Sequence, residues 1–378
     1  MTDSFMVWIV LIIETLVAGG FTLLIPRVTR RGLLFGVYVG EQQSGGDEAR
    51  AITRGWYVVM IAALAASVVL GTSLTLAHPE HPAGALSSLF LLLAASLVSY
   101  LWAHFRARAL ATTGAPKSAA AFVVESPQAL TVPIIATCIA MVGGAIALGY
   151  AWLHYGEMPE QIPTHFGASG LPDSWAPRSF WSIMLLPLLT AFVCPATGVM
   201  ACLTARAKRA IRQADQGVSF GAQMRFRRAM SLFLSGTVVL ITLMLGGMSI
   251  SSVQVALGLS AGLSMWTMVM TGVLVVYAVG GSLYMMLHFG QGGARLERSA
   301  AGAPLTNGLA DNEHWVLGMF YVNRDDPSFM VEKRFGVGYT INLGNPWAVT
   351  LVALFFIFLI GVLWFARSMP HTGVPPRS

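Results

Sequence analysis

Apolar and polar residues segregate in blocks of about 20 along this chain, and that coarse pattern decides its class. Eight apolar runs have the length a helix needs to cross the hydrocarbon core: 5–25, 56–76, 86–105, 131–152, 180–203, 230–250, 265–287 and 347–365. Backbone groups in lipid find no partner outside their own segment, so each run is predicted to be an α-helix. The expected fold is an all-α polytopic membrane helix bundle of about eight transmembrane helices, with a small cytoplasmic β-hairpin or meander before the last helix. Composition agrees. With 11% charged and 55% hydrophobic residues, a 378-residue chain has too few charges to coat a soluble domain.

The basic residues orient this bundle, because cytoplasmic loops collect Lys and Arg. All but Arg178, Arg367 and Arg377 of the 23 basic residues fall in the first, third, fifth and seventh connections. Both termini are therefore expected outside the cytoplasm. A net charge of +6 could suggest nucleic acid, but the excess follows topology, and basic loops beside helices are expected against anionic headgroups. The lipid bilayer is thus the expected partner and nucleic acid is not. The first run lacks the basic flank of a cleavable signal peptide and reads as a retained helix, with Ala18, Gly19 and Gly20 as packing positions.

Between the fourth and fifth runs lies a polar island, Ile162-Pro163-Thr164-His165-Phe166-Gly167-Ala168-Ser169-Gly170-Leu171-Pro172-Asp173-Ser174-Trp175. Topology places it outside, and Pro159, Pro163 and Pro172 argue for an extended, shaped loop. With its approach it gathers His154, Glu157, Glu160, His165, Asp173 and Trp175, a candidate ligand-binding set. Imidazole and carboxylate groups can hold a divalent ion, yet the spacing matches no helical metal motif. A metal-dependent enzyme would need at least three of these groups, with His78 and His81, to converge. The alternative is a structured loop in which His165 bonds backbone and Phe166 with Trp175 rests at headgroup level.

Before the last run, 290–308 is rich in Gly and Ala and reads as a flexible linker. After it, Trp315 to Val322 has strand composition, Asn323-Arg324-Asp325-Asp326-Pro327 has turn chemistry, and 335–343 alternates with a period of two. The product is expected to be a hairpin or three-stranded meander whose apolar face needs a partner. Gly336-Val337-Gly338 is no nucleotide fingerprint and reads as close backbone approach within a sheet. No cofactor is implied. Trp315, Tyr321, Asp326, Lys333, Arg334 and Tyr339 are candidate contacts for a cytoplasmic regulator, and Asp311, Asp325 and Asp326 read as turn residues rather than cation ligands.

Glu14 is the only acid well inside a predicted span. Such residues face a cavity or a partner and are functional candidates by default, so an ion- or proton-coupled transporter or channel is the rival reading. It would use 249–264 as a loop, a re-entrant piece or an extension of the seventh helix. Cys138, Cys194 and Cys202 fall in apolar spans and read as buried packing residues.

The motif Ile162-Pro163-Thr164-His165-Phe166 with Gly170, Pro172 and Asp173, set between two membrane helices, resembles the membrane domain of SdpI-like bacterial immunity and signalling proteins. Trp315, Gly318, Phe320, Tyr321, Asn323, Asp326, Pro327, Lys333, Arg334, Gly336, Gly338, Thr340, Asn342 and Gly344 resemble a domain of unknown function found near the C-terminus of proteins bearing the first domain. The resemblance implies a bacterial inner-membrane protein that senses an extracytoplasmic peptide or envelope ligand and signals to a cytoplasmic regulator, without implied catalytic residues. The β insert and last helix depart from the SdpI pattern, which weakens transfer of immunity and repressor capture. The expected segments are 1–130 (three helices), 131–204 (helix, island, helix), 205–289 (basic loop and two helices), 290–346 (linker and β module) and 347–378 (last helix and tail).

Overall fold

The computed structural model describes residues 3–78, 83–111, 128–167, 169–207, 216–296 and 312–368. In chain order these form α1 (Asp3–Glu14), a π-helical turn (Thr15–Gly19), α2 (Gly20–Val28), β1 (Leu33–Leu34), β2 (Val37–Tyr38), α3 (Glu41–Ser44), α4 (Asp47–Ala77) and α5 (Ala83–Arg108). There follow α6 (Gln128–Leu153), β3 (Gln161–Phe166), β4 (Pro172–Pro177), α7 (Phe180–Ala205), α8 (Gln216–Ala256) and α9 (Met265–Tyr284). The last elements are β5 (Trp315–Val316), β6 (Phe320–Tyr321), β7 (Met330–Glu332), β8 (Tyr339–Ile341) and α10 (Pro346–Ser368). Eight helical segments among the described residues are long and apolar enough to cross a membrane. The helical bundle with small strand hairpins is therefore as expected, and the chain is a multi-pass membrane protein.

Several boundaries differ from the apolar runs. The first run is two helices joined by the π turn. Gly19 in that turn is buried, and a Cβ there would lie 2.5 Å from Leu64 Cδ1, whereas nothing lies within 4 Å of Gly20. α4 begins at Asp47 and α8 at Gln216, well before the apolar residues start. Hydropathy marks what lipid covers, but helix continues wherever backbone bonding does; Asp47 and Glu48 also suit the positive N-terminal end of α4. At the other end of α8 the helix runs on to Ala256, so the first half of 249–264 extends the sixth span, not the seventh, and the second half is a short turn.

Close packing divides the chain into two units, Met1–Val124 with Ala207–Arg227 and Ser282–Ala348, and Glu125–Arg206 with Arg228–Gly281 and Val349–Ser378. In the first, α4 and α5 meet through Gly71 and Gly84, where added Cβ atoms would lie 3.3 Å and 2.7 Å from the opposite glycine's carbonyl oxygen. Small residues permit this approach in the absence of any hydrophobic drive between lipid-solvated helices. Its core is aromatic: Phe35, Trp56 and Tyr100 are buried, and the Phe35 ring lies 5.7 Å from Trp56 and 6.0 Å from Phe335.

In the second unit, α6 and α7 use the same device, Gly144 against Ala191 and Gly198 against Thr137. Thr190 of α7 and Ser249 of α8 share a hydrogen bond of 3.0 Å, and Tyr277 of α9 donates to the Phe233 carbonyl at 3.2 Å. α10 packs by aromatic contact, Phe358 against Phe192 at 3.9 Å and Phe365 against Trp181 at 4.6 Å. All three cysteines are free; Cys194 is buried as expected, but Cys138 is exposed on the helix surface.

Candidate functional sites

The polar island is a β-hairpin. β3 and β4 pair antiparallel from Gln161 opposite Pro177 to Phe166 opposite Pro172, with register shifts on both sides of His165. Three prolines in or beside the strands leave ladder donors missing, and the irregular register re-aims the local side chains. His165 Nδ1 thereby comes 2.5 Å from Asp173 Oδ1, so its partner is a carboxylate rather than backbone. Both side chains are open, at 70% and 49% exposure.

The hairpin is braced at each end. At its base the Arg178 guanidinium donates to the carbonyls of Met158 (2.8 Å) and Tyr155 (2.9 Å) and lies over the Tyr155 ring. At its tip, Gly167 N donates to Leu171 O, Gly170 takes φ of +78°, and Leu263 N donates to Gly170 O at 2.8 Å. The short turn after α8 thus seats the hairpin tip, a role the sequence did not reveal. His154 pairs with Glu157 at 2.8 Å, Glu160 is exposed and Trp175 is half-buried. The candidate set therefore resolves into two separate pairs. No three His, Cys, Asp or Glu side chains gather at a metal-binding distance among the described residues. His78 ends α4 and is exposed, and His81 lies outside the described residues.

Glu14 stands at the end of α1, where the π turn breaks the regular ladder; π turns recur at functional sites. Leu11 of the same face lies against Gly71, and Ser88 of α5 is beside the carboxyl. Glu14 Oε1 and the hydroxyls of Thr15 and Thr75 are buried without a hydrogen-bond partner among the described residues. Orphaned polar atoms in a helix seam are costly and call for a reason.

The β module is docked within the first unit. It comprises two small hairpins, β5–β6 and β7–β8, joined by a parallel bridge between Tyr321 and Asn342, rather than one hairpin or meander. Only Tyr339–Ile341 of the alternating stretch is strand. Gly336 and Gly338 have φ of +81° and +114°, with open space beside Gly336. Both take turn conformations, and Gly336 makes no close approach to the described residues. The start of the stretch expected to be a linker is packed, Gly290 being buried and Gln291–Gly293 a buried 3-10 turn, while 297–311, Asp311 included, lies outside the described residues.

Most residues expected to face a regulator instead hold this module together. Trp315, Tyr321, Asp326 and Arg334 are buried. Arg334 lies over the Trp315 ring at 5.0 Å and donates to Asn312 Oδ1 at 2.7 Å, while Tyr38 N donates to the same oxygen. Tyr321 donates to Asp326 Oδ2 at 2.9 Å. Asp326 and Asn323 bond locally as turn residues, and Asp325 N donates to Asn323 Oδ1. Lys333 and Tyr339 are half-buried, and burial lowers the Lys333 ammonium below its ordinary value.

Residues to which sequence reasoning assigned no contact role complete the dock. Asn342 is fully buried; its amide donates to three carbonyls of 323–328 and its oxygen accepts from Asn323 N and Gly344 N. Tyr100 donates to Leu317 O at 2.8 Å, and Gly36 meets Gly318 backbone to backbone. Arg30, counted only as a basic loop residue, is buried with Glu332 at 3.3 Å.

Residues 142–191 match a domain of unknown function, DUF1648, and residues 324–349 match a family of unknown function, DUF5808. The first match takes in the braced hairpin and the adjoining parts of its two flanking helices, 142–153 and 180–191; the second takes in Asp326, Arg334 and Asn342. Neither a curated protein nor a solved structure matches the chain. The fold defines a multi-pass helical membrane protein, and one segment in each unit is similar to an uncharacterised family.

Proposed function

We propose that this chain is a sensor or immunity protein of the bacterial inner membrane, SdpI-like in its hairpin domain, that recognises a cationic extracytoplasmic peptide. The reading rests on the exposed His165–Asp173 pair on a hairpin braced at base and tip. Such bracing presents side chains at fixed positions, which lowers the ordering cost of binding. Glu157, Glu160 and Asp173 are exposed, while the nearby Arg178 guanidinium is taken up by carbonyls. The presented surface is therefore acidic, and complementary charge favours a basic ligand. Because four of the module's six named contacts are buried, a regulator would meet its exposed ridge of Val316, Phe320, Val322 and Leu343.

The test uses the full chain in nanodiscs and a fluorescent Lys-rich amphipathic peptide, read by anisotropy. The triple variant E157Q/E160Q/D173N is expected to weaken binding about tenfold and to flatten its salt dependence. Unchanged affinity in the triple variant, or equal binding of a Glu-rich peptide, refutes the reading.

A second reading has its own support. The part-buried Glu14 carboxyl beside Ser88, with Glu14 Oε1 unpartnered among the described residues, suits proton or cation passage. Flux into proteoliposomes that survives E14Q at equal reconstitution counts against it.

A further inference from the structure

One face of α4 carries a trough of about 410 Å³. Its wall is built from Arg50, Thr53, Arg54, Tyr57, Val58 and Ile61, which at spacings of three and four share a single helical face. The order along the helix is chemical as well as geometric. Two guanidiniums come first with the Thr53 hydroxyl between them, then a phenol, then two aliphatic side chains, over about 16 Å of rise. Val58 and Ile61 are 64% and 56% exposed and lie within the apolar span Asp47–Ala77. The arginines stand at that span's polar end.

Further positive charge faces the same trough. Arg27 of α2 lies 6.0 Å from the Tyr57 ring, and the Tyr57 hydroxyl donates to Leu23 O. An adjoining cavity of about 420 Å³ shares Ser44 and Thr53 and is lined by Arg30 and Arg31. Arg50 has an exposed carboxylate partner, Asp47, at 3.5 Å. Arg54 has no ion-pair or hydrogen-bond partner among the described residues.

We propose that this face binds one anionic phospholipid. Arg50 and Arg54, with Arg27 behind them, hold the phosphate; Tyr57 stands at the glycerol level; Val58 and Ile61 receive the first acyl methylenes. A soluble phosphate compound would satisfy the arginines and leave the aliphatic half uncovered, whereas a zwitterionic lipid would cover that half and bring an ammonium to the arginines. Only an anionic headgroup on an acyl chain matches both halves.

The experiment uses the full chain in nanodiscs of phosphatidylcholine with and without phosphatidylglycerol, and native mass spectrometry counts the phosphatidylglycerol retained. The double variant R50Q/R54Q is expected to weaken retention about 30-fold, at roughly a factor of five for each arginine near an anionic surface. R106Q/R108Q removes the same charge from two exposed arginines at the end of α5 and is expected to change it less than about twofold. V58S/I61S keeps every charge and is expected to weaken retention through the chain contact; it also decides the matter should R50Q/R54Q fail to fold. Equal losses in the two arginine variants overturn the proposal in favour of general surface attraction. Competition by free glycerol phosphate as strong as by lipid, or unchanged retention in V58S/I61S, overturns it in favour of a soluble anion. No retention by the wild-type chain ends it.

Discussion

Replacing Glu332 by Ala tests whether the β module is locked to the first unit by buried charge. Arg30 and Glu332 lie 3.3 Å apart with side chains 2% and 4% exposed. Around them Arg30 Nη2 donates to Gly292 O at 3.0 Å, Arg30 N donates to Gln291 Oε1 at 2.9 Å, and the Gln291 amide donates to Lys333 O. Removing one partner of a buried pair costs about 3–5 kcal/mol, because the remaining charge keeps its desolvation penalty. Arg30 retains the Gly292 carbonyl, so the lower end applies. At about 2–4 °C per kcal/mol for a unit of this size, Glu332→Ala should lower the melting temperature by about 6–12 °C. Tryptophan fluorescence is the assay, since Trp56 and Trp315 are both buried in this unit. A double variant, R30M/E332M, removes both charges at similar volume and should recover most of the loss. A Glu332→Ala shift under about 2 °C, or a double variant no better than the single, would refute the lock.

Three further outcomes follow from the same geometry. Gly36 and Gly318 have φ of +78° and +65°, and a Cβ at Gly36 would lie 2.7 Å from Gly318 O, so Gly36→Val should cost at least about 2 kcal/mol in the same melt. Arg178→Gln removes the guanidinium bonds to Met158 O and Tyr155 O and should speed amide hydrogen exchange across 161–177 while leaving exchange in α4 unchanged. The Lys333 ammonium is lowered by burial from its usual 10.5, so the unfolded chain binds more protons than the native one between the lowered value and 10.5. Stability should therefore rise with pH through that window, and Lys333→Met should abolish the rise, measured as melting temperature against pH.

The hairpin and the module show where sequence reading stopped. Prolines and glycines within 162–175 announced a shaped, extended segment, since their backbone restrictions act locally. The His165–Asp173 pairing depends on a register shift within the hairpin, and spacing alone does not reveal it. Period-two alternation in 335–343 promised a strand, but positive φ at Gly336 and Gly338 turns the chain before Tyr339. Asp326 read correctly as a turn residue because its bonds are to near neighbours. Arg334 read as an exposed cation because long-range burial leaves no mark on a sequence window.

What the sequence determined by itself is what lipid and local backbone dictate: eight apolar spans, their polar ends, and the turn chemistry of the hairpin and module. Those signals are short-range, set by solvation over about 20 residues or by dihedral preference over a few. The tertiary structure alone decided that the module is docked, through Arg30 with Glu332, Tyr100 with Leu317, and Gly36 against Gly318. It also decided that Glu14 sits beside Ser88 of α5, and that the turn after α8 seats the hairpin tip. Each of these contacts joins residues distant in sequence and depends on burial, which single residues do not encode.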